Sequence, residues 1–122
     1  MNYINLIMCT YNSSNCISEA LTSLNKQTLN HFKLVVQDGN SRDDTLKKIR
    51  NIYTRNISIS SNADAGIYDA LNQALERCDG DIVGFLHSDD HLPSANTLEK
   101  IAGAFDDPSI VAVFGNVKIS NN

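Results

Sequence analysis

Short apolar runs alternate with helical patterns along this chain, and each of the first four runs empties into a polar loop rich in Asp, Asn, Ser or Thr. Tyr3 to Cys9 (Y-I-N-L-I-M-C) has strand character. After the turn Thr10 to Asn15, Ile17, Leu21 and Leu24 are spaced i, i+4, i+7, which predicts a helix. Phe32 to Gln37 predicts a second strand and runs into D-G-N-S-R-D-D, where Asp43 or Asp44 is expected to cap a helix carrying Leu46, Ile49 and Tyr53. Ile57 to Ser60 reads as a short third strand. Past the loop Asn62 to Gly66, a third helix is expected with Ile67, Leu71, Ala74 and Leu75 on its apolar face. It should stop at Asp79-Gly80, with Gly80 as a left-handed cap. Asp81 to Leu86 is the fourth strand and His87 to His91 the loop after it. Pro93 and Ser94 then open a fourth helix bearing Leu98, Ile101, Ala102 and Phe105. Ile110 to Phe114, or on to Ile119, reads as a fifth strand.

Strand–helix alternation with short connections predicts an α/β fold with a mostly parallel sheet and helices on both faces. Apolar strands fit a sheet covered on both sides. The 122 residues suit one domain, 1–122, large enough to bury a core without disulfide or metal staples. The chain shows no repeat, linker or low-complexity segment, and because it stops just after a strand the sheet is expected to continue past Asn122, the domain being truncated. Cys9, Cys16 and Cys78 lack C-x-x-C spacing and read as reduced thiols. Met1 leads directly into strand pattern, without a basic leader. The apolar runs fall far short of the roughly 20 residues that span a bilayer. A cytoplasmic location is expected, with any attachment to the inner-membrane surface left to segments outside the chain. Self-association through apolar surface left open by truncation is also expected. The net charge of −4 argues against a nucleic-acid partner. One nucleotide held through a divalent cation is compatible with it.

In an open α/β sheet, ligands bind beyond the carboxyl ends of the strands. Thr10, Tyr11 and Asn12 follow the first strand, Asp38, Gly39 and Asn40 the second, Asp64 and Gly66 the third, and His87, Asp89 and Asp90 the fourth. Three of these four loops carry carboxylates, a rim suited to a divalent cation rather than to a bare phosphate. Asp89-Asp90 is the strongest single signal: adjacent carboxylates repel unless positive charge lies near, and Mg²⁺ or Mn²⁺ bridges carboxylates to phosphates. Alone, the pair reads equally well as a solvated turn. The first strand is followed by neither G-x-x-x-x-G-K-[ST] nor G-x-G-x-x-G, which argues against a P-loop NTPase and a dinucleotide dehydrogenase. His87 and His91 flank a loop, not one helix face, which argues against zinc. Tyr11 reads as a turn aromatic or a base-stacking ring, and Tyr68 as half core, half rim. Asp69 and Asn72 share a helix side that is either solvated or part of the site.

Four ordered segments, I-M-C-T-Y-N (Ile7 to Asn12), V-V-Q-D-G-N-S-R-D-D-T (Val35 to Thr45), D-A-G-I-Y-D-A-L-N-Q-A-L (Asp64 to Leu75) and G-D-I-V-G-F-L-H-S-D-D (Gly80 to Asp90), resemble the inverting family 2 glycosyltransferases over nearly the whole chain. The last two look most like the branch that builds bacterial capsule, O-antigen or exopolysaccharide. The resemblance implies the Rossmann-like GT-A fold of nucleotide-diphospho-sugar transferases. It implies transfer of a sugar from a nucleoside-diphosphate donor, UDP foremost, to a glycan or lipid-linked acceptor. It places Thr10, Tyr11 and Asn12 around the base, Asp38 as a hydrogen-bond acceptor for it, and Asp64 and Gly66 near the diphosphate, with Asp69 and Asn72 supporting that wall. Asp89 matches the last acid of the family's D-x-D motif and Asp90 is a second candidate ligand, the cofactor being Mn²⁺ or Mg²⁺. His87 stands where the motif has its first acid. The catalytic base is expected beyond Asn122, not at Asp106 or Asp107. Two alternatives are a non-catalytic nucleotide- and metal-binding fragment and a nucleotidyltransferase. T-Y-N-S-S-N after the first strand lacks the Gly-rich basic loop that a nucleotidyltransferase uses. A phosphoacceptor domain would place an acidic pair where Cys9-Thr10 stand.

Overall fold

The computed structural model describes residues 3–110. Four strands, β1 (Ile4–Thr10), β2 (Phe32–Asp38), β3 (Ile57–Ser61) and β4 (Ile82–Phe85), alternate with four helices, α1 (Ile17–Asn25), α2 (Thr45–Ile52), α3 (Ile67–Glu76) and α4 (Thr97–Ala104). The strands form one parallel sheet in the order β3-β2-β1-β4. This is the expected α/β architecture with a parallel sheet, and it is compatible with the Rossmann-like GT-A fold that the resemblance implies. The expected fifth strand lies, past Ile110, outside the described residues.

The period of two in each strand decides which helix covers which side. Ile4, Leu6 and Met8 of β1 stand beside Phe32, Leu34 and Val36 of β2. With Ile82, they meet Ile17, Leu21 and Leu24 of α1, Ile49 of α2 and Leu98 of α4 in the main core. The other side carries Ile7 and Val35, closed by Ala74 and Leu71 of α3. Chain order runs outward from β1 to β3 and then returns to β4 on the other side of β1. A right-handed crossover therefore puts α3 on the face opposite α1 and α2. That reversal makes β1/β4 the switch point, and the crevice outside it is where ligands enter such sheets.

Several local expectations need correction. Gly80 is not a left-handed cap: α3 ends earlier, at Glu76, with Arg77 as a right-handed C-cap, and Gly66 is the positive-φ glycine among the described residues. Gly80 is required for another reason. A Cβ there would overlap the terminal amide atom of Asn5 and lie 2.5 Å from the Tyr3 carbonyl oxygen. The buried face of α3 is Ala70 and Ala74, while Ile67 and Leu75 are exposed; the small side chains let the helix sit close over Ile7 and Val35. Tyr68 is 81% exposed and is not part of the core. α4 begins at Thr97, not at Pro93-Ser94, and Asp44 takes the cap position of α2 without a side-chain hydrogen bond. Asp43 serves that helix instead, accepting the Thr45 amide (3.0 Å). The sheet is also less covered than its apolar strands suggested. Val83 and Phe85, on the α3 side of β4, are exposed, Phe85 by 57%.

Candidate donor-binding site

Extending the core rows of β1, β2 and β3 to their carboxyl ends brings Thr10, Asp38 and Ser61 side by side. Asp38 is 0% exposed. It takes hydrogen bonds from Thr10 Oγ1 and Ser41 Oγ on one oxygen (2.6 Å each), and from Ser41 N and Ser61 Oγ on the other (2.8 Å each). A carboxylate offers about four acceptor positions, and here all are filled from within the protein. Burial pushes its pKa up, but the hydrogen bonds from Ser41, Thr10 and Ser61 outweigh that and hold the carboxyl below its ordinary range. Asp38 thus ties the ends of β1 and β3 to its own loop, at the place where the resemblance implies a contact with the base.

The first two loops are further joined. Gly39 N donates to Thr10 O (2.9 Å). Asn12, at φ 47°, donates its amide to Ser41 Oγ (2.8 Å) and accepts the Arg42 amide on Oδ1 (2.9 Å). Asn readily adopts this left-handed conformation because its side chain can bond locally. Ser13 N donates to Thr45 Oγ1 (2.8 Å), and Ser14 N to Asp43 Oδ2 (3.2 Å). The Thr45 hydroxyl and the Thr45 and Ser14 amides hold Asp43 ionised, lowering its pKa to about 2. Between these braces the Tyr11 ring stands 63% exposed, free of the core and open to a stacking partner.

The third loop closes against the same place. A Cβ on Gly39 would lie 3.0 Å from Asp64 Oδ2 and 3.4 Å from Tyr11 Cδ1, so the absent side chain of Gly39 is what lets Asp64 and Tyr11 approach. Asp64 also raises the Cys9 pKa, after burial as the larger cause. Asp64 Oδ1 accepts Gly66 N (3.1 Å), and Asp69 reaches back to Ala65 N (2.9 Å) while holding Gln73 (3.1 Å). Asp69 therefore shapes the start of α3, as an acid in a first helical turn does. Asn72 is exposed, and its side chain makes no hydrogen bond among the described residues.

The fourth loop carries the charge. Asp89 and Asp90 are exposed, and neither side chain has a hydrogen-bond or ion-pair partner among the described residues. No group of three or more His, Cys, Asp or Glu that could hold a metal occurs among the described residues. Two unengaged carboxylates suit a hard cation that takes its other oxygens from a diphosphate and water. His87 and His91 are both exposed, and His91 Nδ1 lies 3.8 Å from Glu19 Oε2.

Thr10, Tyr11, Asp38 and Asp64 are thus brought together, with Asn12 tied to the β2 loop. Sequence reasoning missed Ser41 and Ser61, two of the donors that saturate Asp38, and Ser13 and Ser88, which touch across the crevice (Oγ to Oγ 3.1 Å). Ser41 lay inside a quoted motif, but a serine in a polar loop carries no distinguishing signal.

Residues 5–122 match the glycosyl transferase family 2 profile. The chain is 34% identical over 120 residues to the Escherichia coli UDP-Glc:alpha-D-GlcNAc-diphosphoundecaprenol beta-1,3-glucosyltransferase WfgD, covering 98% of this chain and 47% of that protein. Residues 1-349 of Staphylococcus aureus TarS in complex with UDP-GlcNAc superpose with a TM-score of 0.76 at 35% identity, covering 86% of this chain and 31% of that one. The mannosyltransferase PcManGT from Pyrobaculum calidifontis, in complex with GDP-Man and Mn²⁺, gives 0.79 at 25% identity, covering 89% and 34%. The chain thus spans less than half the length of these proteins. On the profile match and the WfgD identity together, this chain belongs to glycosyl transferase family 2.

Proposed function

We propose that this chain forms the donor-binding half of a glycosyltransferase that moves a sugar from a nucleoside-diphosphate carrier, UDP foremost, to a glycan or lipid-linked acceptor in cell-surface polysaccharide synthesis. The observation that carries this is the unpaired Asp89-Asp90 carboxylate pair beside the rim that Asp38 organises, in a chain whose structural neighbours include TarS in complex with UDP-GlcNAc and PcManGT in complex with GDP-Man and Mn²⁺. Tyr11 stacks on the base, with the Thr10 and Asn12 backbone beside it. Asp64 and Gly66 bound the diphosphate, Asp69 holds the start of α3, and Asn72 faces the site from that helix. Asp38 contributes by holding the three loops in place. Asp89 and Asp90 hold a divalent cation, Mn²⁺ or Mg²⁺, which when bound offsets the charge that builds on the leaving diphosphate. The acceptor proton goes to a general base that the family resemblance places beyond Asn122. Work at the inner-membrane surface and self-association belong to the same proposal.

Calorimetric titration of UDP with and without Mn²⁺, on the wild-type chain and on Asp89→Ala, tests it. Metal-dependent binding that the substitution abolishes is the expected result. A folded chain that binds no nucleoside diphosphate under either condition would refute it.

A further inference from the structure

The loop carrying Asp89 and Asp90 has few ties to the rest of the protein. Its amino-terminal end leaves the sheet at Leu86, whose amide donates to Ile7 O (3.0 Å), and beyond that point it is tied by one side-chain contact: Ser88 Oγ donates to Ser13 Oγ (3.1 Å) across the β1/β4 crevice. Ser13 is a rigid post. It is buried, its amide donates to Thr45 Oγ1 (2.8 Å), and its carbonyl accepts the Cys16 and Ile17 amides (3.0 Å each) that open α1. Its hydroxyl is also within hydrogen-bond distance of the Tyr11 carbonyl (3.4 Å). A hydroxyl chain therefore runs from Ser88 through Ser13 to Tyr11. At its carboxyl end the loop is tied elsewhere, through Leu92 N to Ser23 Oγ (3.0 Å) and His91 to Glu19 (3.8 Å). Between the two ties, the Asp89 and Asp90 side chains have no partner among the described residues.

We propose that the Ser13–Ser88 hydroxyl pair sets the metal loop in register with the base-binding loop, making Ser88 a positioning residue for Asp89. The proposal rests on the donor-site reading above and adds to it. Ser88 touches neither nucleotide nor cation in this scheme. It acts because consecutive Cα atoms are about 3.8 Å apart, so anchoring Ser88 fixes where the next carboxylate stands relative to Tyr11. Losing the anchor leaves both carboxylates intact but spread over more positions, which lowers cation affinity and leaves metal-free nucleotide contacts alone.

Amide hydrogen exchange in the ligand-free protein tests the link itself. The reporter is the Asp90 amide, which donates to His87 O (3.0 Å) within the loop. Losing a neutral hydrogen bond corresponds to a change of about three- to tenfold. Ser88→Ala is expected to speed Asp90 exchange by about that factor, and Ser88→Thr, which keeps the hydroxyl, to leave it near wild type. The double variant Ser13→Ala/Ser88→Ala should exchange no faster than the faster single variant, because both remove the same contact. UDP titration then reads the consequence. The Mn²⁺ concentration giving half-maximal UDP binding should rise about three- to tenfold in Ser88→Ala, with metal-free UDP affinity unchanged and the thermal midpoint lowered by only about 2–7 °C. Unchanged Asp90 exchange in Ser88→Ala, equal effects of Ala and Thr, or additive single effects would each overturn the link. A wild-type chain that binds no UDP would instead sink the donor-site reading, and the exchange data would still decide the link.

Discussion

Asp38→Ala tests how the rim is built. It removes one acceptor from four donors: Thr10 Oγ1, Ser41 Oγ, Ser41 N and Ser61 Oγ, at 2.6 to 2.8 Å. The serine hydroxyls can turn to other acceptors. Thr10 is buried, so its hydroxyl is left without a partner, while the half-buried Ser41 amide can turn to water. A buried donor without a partner costs about 1–3 kcal/mol. Each kcal/mol moves the midpoint of a domain this size by about 3–5 °C, so thermal unfolding followed by circular dichroism should shift down by about 3–15 °C. Asp38→Asn keeps the shape and lets the Thr10 and Ser41 hydroxyls reverse to accept. It gives up only the charge assistance, about 1–2 kcal/mol. The pH dependence has a definite sign. Burial raises the Asp38 pKa, but the hydrogen bonds outweigh it and the native value lies below the ordinary one. Its stabilisation is therefore fully present above the unfolded carboxyl value of about 3.9 and is lost as pH falls through the lower native value. The gap between wild type and Asp38→Asn should hold at neutral pH and close on acidification. An Asp38→Ala protein within about 1 kcal/mol of wild type, or a gap that does not change with acid, would refute the account.

Two further substitutions separate site from scaffold. Tyr11→Ala removes an exposed ring, so stability should stay within about 0.5 kcal/mol while UDP affinity falls by about 1–3 kcal/mol of stacking. Unchanged affinity in the titration would remove the ring from the site. Gly80→Ala drives a methyl against Asn5 and the Tyr3 carbonyl. Asn5 is 0% exposed, and its amide, oriented to take the Gly80 N–H (2.6 Å), cannot retreat without losing that bond. Overpacking of this kind costs about 1–3 kcal/mol, and a thermal midpoint equal to wild type would contradict the close approach.

The sheet and its order of elements were legible because buried parallel strands declare themselves as apolar runs, and Ile4, Leu6, Met8, Leu34 and Val36 do fill one core. Helix faces were less legible. Ile67 and Leu75 carry the stronger apolar signal in α3, yet the helix packs through Ala70 and Ala74, since closeness to the sheet rather than hydrophobicity selects the contact. Gly80 was misread because a glycine after a helix suits a cap as well as a tight crossing, and only the position of Asn5 decides between them. The loops at the carboxyl ends of the strands were placed correctly because they follow from the order of elements. Their internal wiring was not, because a hydrogen bond such as Ser88 to Ser13 joins residues 75 positions apart and leaves no pattern in either local sequence.

That wiring sorts the rim's carboxylates by what they are free to do. Asp38 has every acceptor position filled, Asp43 is engaged by Thr45 and Ser14, and Asp69 by Ala65 and Gln73. These three hold loops in place, and their charge is already met by donors. Asp64 gives one oxygen to Gly66 N and holds the other beside Gly39, so it is half committed. Asp89 and Asp90 alone among these six stand adjacent, exposed and without a donor among the described residues. The described ion pairs, Lys33–Asp79 and His91–Glu19, bring no cation to them. Two like charges side by side repel, and the fold spends no internal partner on relieving that. Both carboxylates therefore stay available to a ligand that arrives from solution, at the loop bordering the β1/β4 crevice. The divalent cation proposed above fits that availability, since it accepts carboxylate oxygens and takes its remaining ligands from a diphosphate and water.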